Sequence, residues 1–203
     1  MLMLFKGITI GISIAAPVGP IGLLCIRRSL EAGLAAGLAT GLGAASADAL
    51  YGCIAGFGLT AVSSFLIHQR LWLALFGGIF LCYLAIKIIF AKPVASAPET
   101  TVVGLLPAYG STLVLTLTNP MTVLSFVAVF AGCGLGAVPD YIAAGRLVFG
   151  VFLGSALWWL LLSGLVSLVR AKINSSLLQL INWASGTVIL GFGLYALSKV
   201  LTF

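Results

Sequence analysis

The chain has 203 residues, 62% of them hydrophobic and 7% charged, with a formal net charge of +6 at pH 7 and a mean hydropathy of +1.25. A soluble domain carries about 25% charged residues, so these side chains cannot cover a surface facing water, and the protein is integral to a membrane. The ten Lys and Arg residues are scattered among short loops and helix ends. They are topology and lipid-headgroup signals, and no basic cluster or aromatic platform for nucleic acid accompanies them.

The apolar runs are long and continuous, without the ten-residue alternation of an outer-membrane barrel, so the spans are expected to be helices. The first covers residues 7–26. It is too long for the apolar region of a signal peptide and has no small-x-small cleavage pattern at its end, so it is expected to stay in the protein. Ala16, Pro17, Val18, Gly19 and Pro20 interrupt it. Pro17 and Pro20 have no N–H and leave the carbonyls of Ser13 and Ala16 without their usual donors. Gly19 between them can take unusual backbone angles. A plain kink is one outcome. The expected one is a true break, with Pro20 opening a half-helix whose free N–H groups attract an anionic group.

A short connection is expected at 27–31, where Glu31 follows Arg27 at the spacing of a surface ion pair. The second run, 33–67, is longer than one span needs and carries Asp48, the only acid inside any long apolar stretch. A carboxylate within a bilayer costs roughly 2.5–3.5 kcal/mol or more, so it needs a buried partner, a wet cavity or a proton. Gly37, Gly41 and Gly52 fall within about 40° of Asp48 on a helical wheel. This small face is expected to pack on another helix or border a cavity. Asp48 is the candidate for proton coupling or for binding a substrate ammonium, and the competing role is a structural acid holding a neighbouring helix. Tyr51, one turn on, is placed to hydrogen-bond near it.

His68 lies in a short connection at 68–70 and is expected to be solvated. The third run is 71–90. Residues 91–104 hold two prolines and no apolar period, and form a linker between a first group, 1–90, and a second, 105–203. The fourth run lies within 105–138 and is interrupted at Thr118, Asn119 and Pro120. Asn119 suits an N-cap and Pro120 the position after it. Pro120 is expected to free the carbonyl of Thr116, and the Thr116 and Thr118 hydroxyls either satisfy freed backbone groups or face a substrate. After a connection at 139–146, the fifth run, 147–169, carries Gly150, Gly154, Trp158 and Trp159. Two adjacent tryptophans cannot both face the centre, so at least one is packing. A connection at 170–176 leads to the sixth run, 177–201.

Cys25, Cys53, Cys82 and Cys133 form no C-x-x-C pair and are expected to be small buried hydrophobes. Three helices followed by three imply halves of opposite orientation. Interrupted segments at corresponding places in two halves point to a transporter site. Charges sort into Lys6, Arg70, Arg146 and Lys199 on one side, and Arg27, Arg28, Lys87, Lys92, Arg170 and Lys172 on the other. The second side is expected in the cytoplasm, with both termini outside.

These motifs resemble the LysE/RhtB family of bacterial amino-acid exporters. The carrying features are Ala-Pro-Val-Gly-Pro at 16–20, the run RRSLEAGLAAGLATGLG at 27–43 with Asp48 after it, and Thr-Asn-Pro at 118–120. The likeness covers essentially the whole chain. It implies an all-α, six-helix inner-membrane protein that exports small amino acids or derivatives, driven by proton exchange. Pro17, Gly19, Pro20, Asp48, Asn119 and Pro120 match the family's motif residues. Met121 departs from it, standing where many members carry a basic residue.

The expected protein is a multi-pass secondary transporter of six helices in two inverted three-helix repeats, with helices 1 and 4 broken. No G-x-x-x-x-G-K-[ST] motif is present, so an ion gradient is the expected energy source. Its partners are a small zwitterionic substrate, protons and membrane lipids. A homodimer is permitted by the glycine stripes, while nucleic acid, cofactors, metal and catalysis are not expected. The substrate site is assigned to Pro17, Gly19, Pro20, Asp48, Tyr51, Thr118, Asn119, Pro120 and Trp158, with the carboxylate at the two half-helix starts and Asp48 also as the coupling group. The first rival is a divalent metal-cation exporter, for which one carboxylate is too few hard ligands unless carbonyls complete the set. A membrane thiol oxidoreductase and a purely structural subunit are the others.

Overall fold

A computed structural model describes residues 1–17, 19–57, 68–90, 102–119, 122–123, 125–126, 129, 141–170 and 175–201. Among these residues there are helices and no strands. The helices are α1 (Leu2–Ala15), α2 (Pro20–Ala32), α3 (Leu34–Gly56), α4 (Arg70–Ile89), α5 (Val102–Leu117), α6 (Tyr141–Arg170) and α7 (Ser175–Leu201). Four of them, α3, α4, α6 and α7, are long and apolar enough to cross a membrane, and α1 with α2 forms a further candidate bent by 82°. The apolar part of α5, Gly104–Leu117, is shorter.

Three expected connections are helical instead. Residues 27–31 lie inside α2, 141–146 open α6, and α5 starts at Val102 within the expected linker. Charged residues in helical register do not end a helix when their groups find partners, and Arg27 and Glu31 pair at 2.8 Å along the same face. The turn comes later, at Gly33, whose φ of 85° and ψ of −175° form the sole positive-φ position among the described residues. That region is open essentially to glycine alone. Residues 58–67 of the second run, and 91–101 of the linker, lie outside the described residues.

The distribution of polarity is that of a protein solvated by lipid. Trp72, Phe76, Ile79, Tyr83 and Ile86 recur every three or four residues on α4 and are all exposed. Ser29, Thr40, Thr112, Thr116, Ser155, Ser163 and Asn182 are all buried. Lipid tails give helices no hydrophobic reason to associate, so close backbone approach and interhelical hydrogen bonds hold the bundle. On α1, Gly7 lies against Gly150 and the Leu147 carbonyl of α6, and Gly11 against the Val151 carbonyl. On α6, Gly150 and Gly154 return the contact to Leu4 and Ile8. Both pairs are four residues apart, one helical turn, so the two backbones touch along a seam.

From this seam the packing order runs α1, α6, α3, α5, while α4 and α7 form a second pair. The half-helix α2 touches α3, α6 and α7 and joins the two sets. Leu24 of α2 is buried with Leu81, Ala85 and Ile88 of α4, Leu115 of α5 and Ile189 of α7.

Candidate substrate and coupling site

The break after α1 is real. Ala16 N–H still donates to the Ile12 carbonyl at 2.8 Å, and the helical ladder resumes when Leu23 N–H donates to the Gly19 carbonyl at 3.0 Å. Between them Pro17 is exposed at a bend, Val18 lies outside the described residues, and Gly19 is the N-cap of α2 without a side-chain cap. Pro20 is buried as the first residue of α2, where its missing N–H costs nothing. Gly19 has φ −114° and ψ −163°, extended backbone that any residue adopts. The freedom expected of it is used at Gly33.

The second interruption satisfies its own backbone. Asn119 N–H donates to the Thr116 carbonyl at 3.2 Å, so the acceptor expected to be freed is taken. The Asn119 carbonyl in turn accepts from Thr122 and Val123, which restarts a helical turn. The hydroxyl of Thr116 donates to the Thr112 carbonyl at 2.8 Å, and that of Thr118 to the Val114 carbonyl at 2.9 Å. Both bond back to their own helix in the usual manner of mid-helix threonines. Pro120 lies outside the described residues. The Leu117 carbonyl, at the end of α5, accepts from the Tyr51 hydroxyl at 2.7 Å. Tyr51 therefore reaches across to the second break.

Asp48 is 3% exposed. The glycine face of α3 runs antiparallel along α6: Gly37 meets Ser163, Gly41 meets Trp159, and Gly52 meets Val151. At the level of Asp48 the facing residue is Ser155, whose hydroxyl donates to Oδ2 at 2.7 Å. Trp159 Nε1 donates to Ser155 Oγ at 3.1 Å. An indole N–H is a donor only, so it commits the Ser155 hydrogen to the carboxylate. The chain of bonds has one direction, from Trp159 through Ser155 to Asp48 Oδ2.

Of the two tryptophans it is Trp159 that joins this relay. Trp158 is partly buried against the cluster of Ala15, Cys25, Ala44, Ala45 and Trp159. The same cluster holds Ala15, the last residue of α1, together with Ala44 and Ala45 of the α3 turn preceding Asp48. One apolar cluster thus joins the end of α1 to the α3 turn before Asp48, and Tyr51 joins the turn after it to the end of α5. The signal for Ser155 and Trp159 was present as a serine four residues before a tryptophan in an apolar run, which puts both on one face. It needed α6 to be paired with α3.

A second polar cluster escaped the sequence reading. Arg28 donates from Nη1 to Thr40 Oγ1 (3.1 Å), the Ala108 carbonyl (2.9 Å) and Thr112 Oγ1 (3.0 Å), and from Nη2 to Ser111 Oγ (2.9 Å). Its neighbour Arg27 pairs with Glu31 and donates from Nε to Asn182 Oδ1 at 3.0 Å. Adjacent arginines of α2 thus grip α3 and α5 with one guanidinium and α7 with the other. Cys25, Cys53 and Cys82 are free thiols on three different helices, and Cys25 Sγ lies 3.3 Å from Ser163 Oγ.

The family model for the LysE type translocator matches residues 12–200 of the chain. The chain is 27% identical over 195 residues to a protein of Bacillus subtilis (strain 168) whose provisional name is amino acid efflux protein YcgF; the match covers 93% of this chain and 91% of that one. No solved structure matches significantly.

Proposed function

The chain belongs to the LysE type translocator family, a multi-pass membrane protein by its apolar helices, and from that premise we propose that it exports a small amino acid or derivative across the bacterial inner membrane by proton antiport. Asp48 is the coupling group. It takes a proton from one side and exchanges it for the ammonium of the substrate, or holds each in turn as access alternates. The substrate carboxylate meets the half-helix starts at Gly19–Pro20 and Asn119–Pro120, where free N–H groups favour negative charge.

The observation that carries this reading is the position of Asp48: a buried carboxyl, hydrogen-bonded by Ser155, on a stretch of α3 linked to the ends of α1 and α5. A purely structural acid would not need the interruptions.

The architecture we propose with it is six spans in two inverted repeats, 1–90 and 105–203, with α1–α2 and the segment opened by α5 as the broken first helices. The packing supports it. Exchanging the halves turns the α1–α6 contact into the α5–α3 contact, and it leaves the α3–α6 and α4–α7 contacts as they are. That is what a two-fold axis in the membrane plane would do. The face carrying the α2–α3 turn and the ends of α4 and α6 is cytoplasmic in this reading, by its excess of Lys and Arg.

The test is purified protein in vesicles loaded with the twenty standard L-amino acids, with an imposed pH gradient and efflux followed by mass spectrometry. Wild type should release a subset of amino acids faster with the gradient than without. Asp48→Asn should lose the gradient dependence. Equal gradient-driven efflux in the variant would remove Asp48 from coupling.

A further inference from the structure

Arg28 is held by neutral oxygens alone in its hydrogen bonds, and they are arranged to hold it still. Thr40 and Thr112 are fully buried. Each of the three hydroxyls spends its own hydrogen elsewhere: Thr40 on the Ala36 carbonyl at 2.8 Å, Ser111 and Thr112 on the Ala108 carbonyl at 3.2 and 2.9 Å. Only lone pairs are left to face the guanidinium. This cradle positions a cation without cancelling its charge. Glu31 beside it pairs with Arg27, and among the described residues the oxygens bonded to Arg28 include no carboxylate.

The donors do not balance. A guanidinium carries five N–H hydrogens. The two on Nη1 serve three acceptors and one on Nη2 serves Ser111. Among the described residues, Nε–H and the second Nη2 hydrogen have no acceptor. Nε and Nη2 make up the side edge of the guanidinium, which grips a carboxylate through two parallel bonds. A partly desolvated arginine whose side-edge Nε–H has no acceptor among the described residues is a ready anion site.

Its location separates it from Asp48. Arg28 is eight residues beyond Pro20 on α2, and Thr40 is eight residues before Asp48 on α3, so the cluster lies about 12 Å along both helices from the central elements, towards the α2–α3 turn. The ammonium and carboxylate of an α-amino acid sit on one carbon. A substrate whose carboxylate rests on Arg28 therefore cannot also reach Asp48.

We propose that the open edge of Arg28 is an outer carboxylate site, where the substrate docks at the face carrying the α2–α3 turn before it moves to the centre. This rests on the transport reading above and adds a loading station to it. Because the same guanidinium ties α2 to α3 and α5, a carboxylate that takes up its free edge arrives where the half-helix α2 is fastened to that set.

The experiment uses the full chain in phosphatidylcholine vesicles treated with phenylglyoxal, which modifies guanidinium groups, with the adduct at residue 28 read by mass spectrometry. The arms are no addition, the twenty standard L-amino acids, their α-amides, and vesicles containing phosphatidylglycerol. The amino acids should suppress the Arg28 adduct several-fold and the amides should not, while the Arg27 adduct stays constant. Arg28→Lys keeps the charge but loses the fork, and should raise the half-saturating amino-acid concentration for efflux by about tenfold with little change in maximal rate. Equal protection by amides, an Arg28 that reacts in no arm, or protection by phosphatidylglycerol alone would overturn the assignment. Wild-type efflux with an indifferent Arg28 refutes this site and spares the transport reading; carboxylate-specific protection without any gradient-driven efflux does the reverse.

Discussion

Ser155 bridges the Trp159 N–H and the Asp48 carboxylate. Replacing it by alanine leaves the Trp159 N–H buried without an acceptor and removes the donor to Asp48. Each buried polar group so stranded costs about 1–3 kcal/mol. Ser155→Ala should lower thermal stability in detergent and change the shape of the pH–efflux profile. An unchanged profile beside a lowered melting temperature would reduce Ser155 to packing. Trp159→Phe should change the profile in the same way, whereas Trp158→Phe, in a cluster of small apolar residues, should not. Asp48 was legible in the sequence because a lone acid in an apolar run has to find a buried partner, a wet cavity or a proton. Ser155, Trp159 and Arg28 were not. Serine and tryptophan are ordinary in a membrane helix, and an arginine at a helix end has a sufficient explanation in topology until its acceptors on two other helices are seen.

At the level of elements, the seam between α1 and α6 depends on four glycines that admit no side chain. Gly7→Leu or Gly150→Leu drives a side chain into the facing backbone, and overpacking of this kind costs about 1–3 kcal/mol. Either variant should unfold earlier on heating, while the same change at Gly164, where an added Cβ meets nothing within 4 Å, should not. Gly33→Ala places a side chain at φ 85°, with a strain of about 1–3 kcal/mol. It should loosen the α2–α3 turn and with it the Arg28 cradle, read as faster amide exchange at the end of α2. The existence of the first break was legible from two prolines in four residues. The extents of α2 and α6 were not, because charge reads as a loop signal in sequence; in α2 an ion pair along the helix face removes that signal.

Across the whole molecule, many large apolar side chains among the described residues are exposed while several hydroxyl side chains and Asn182 are buried, as expected of a protein solvated by lipid. Ile79→Arg, on the exposed stripe of α4, should reduce membrane-inserted yield by the roughly 2.5–3.5 kcal/mol that a charge costs within the hydrocarbon. Ile79→Val should be silent. The membrane character, the helical class, the lone acid and the interruption near Pro17 all followed from composition and local pattern, because lipid solvation and a missing N–H act on a residue whatever its distant neighbours are. Which helix faces which, and therefore that Asp48 meets Ser155, that Tyr51 closes the end of α5, and that Arg28 is cradled without a carboxylate, required the three-dimensional packing. Those contacts join residues 66 to 107 positions apart or spread over three helices, and no local period records them.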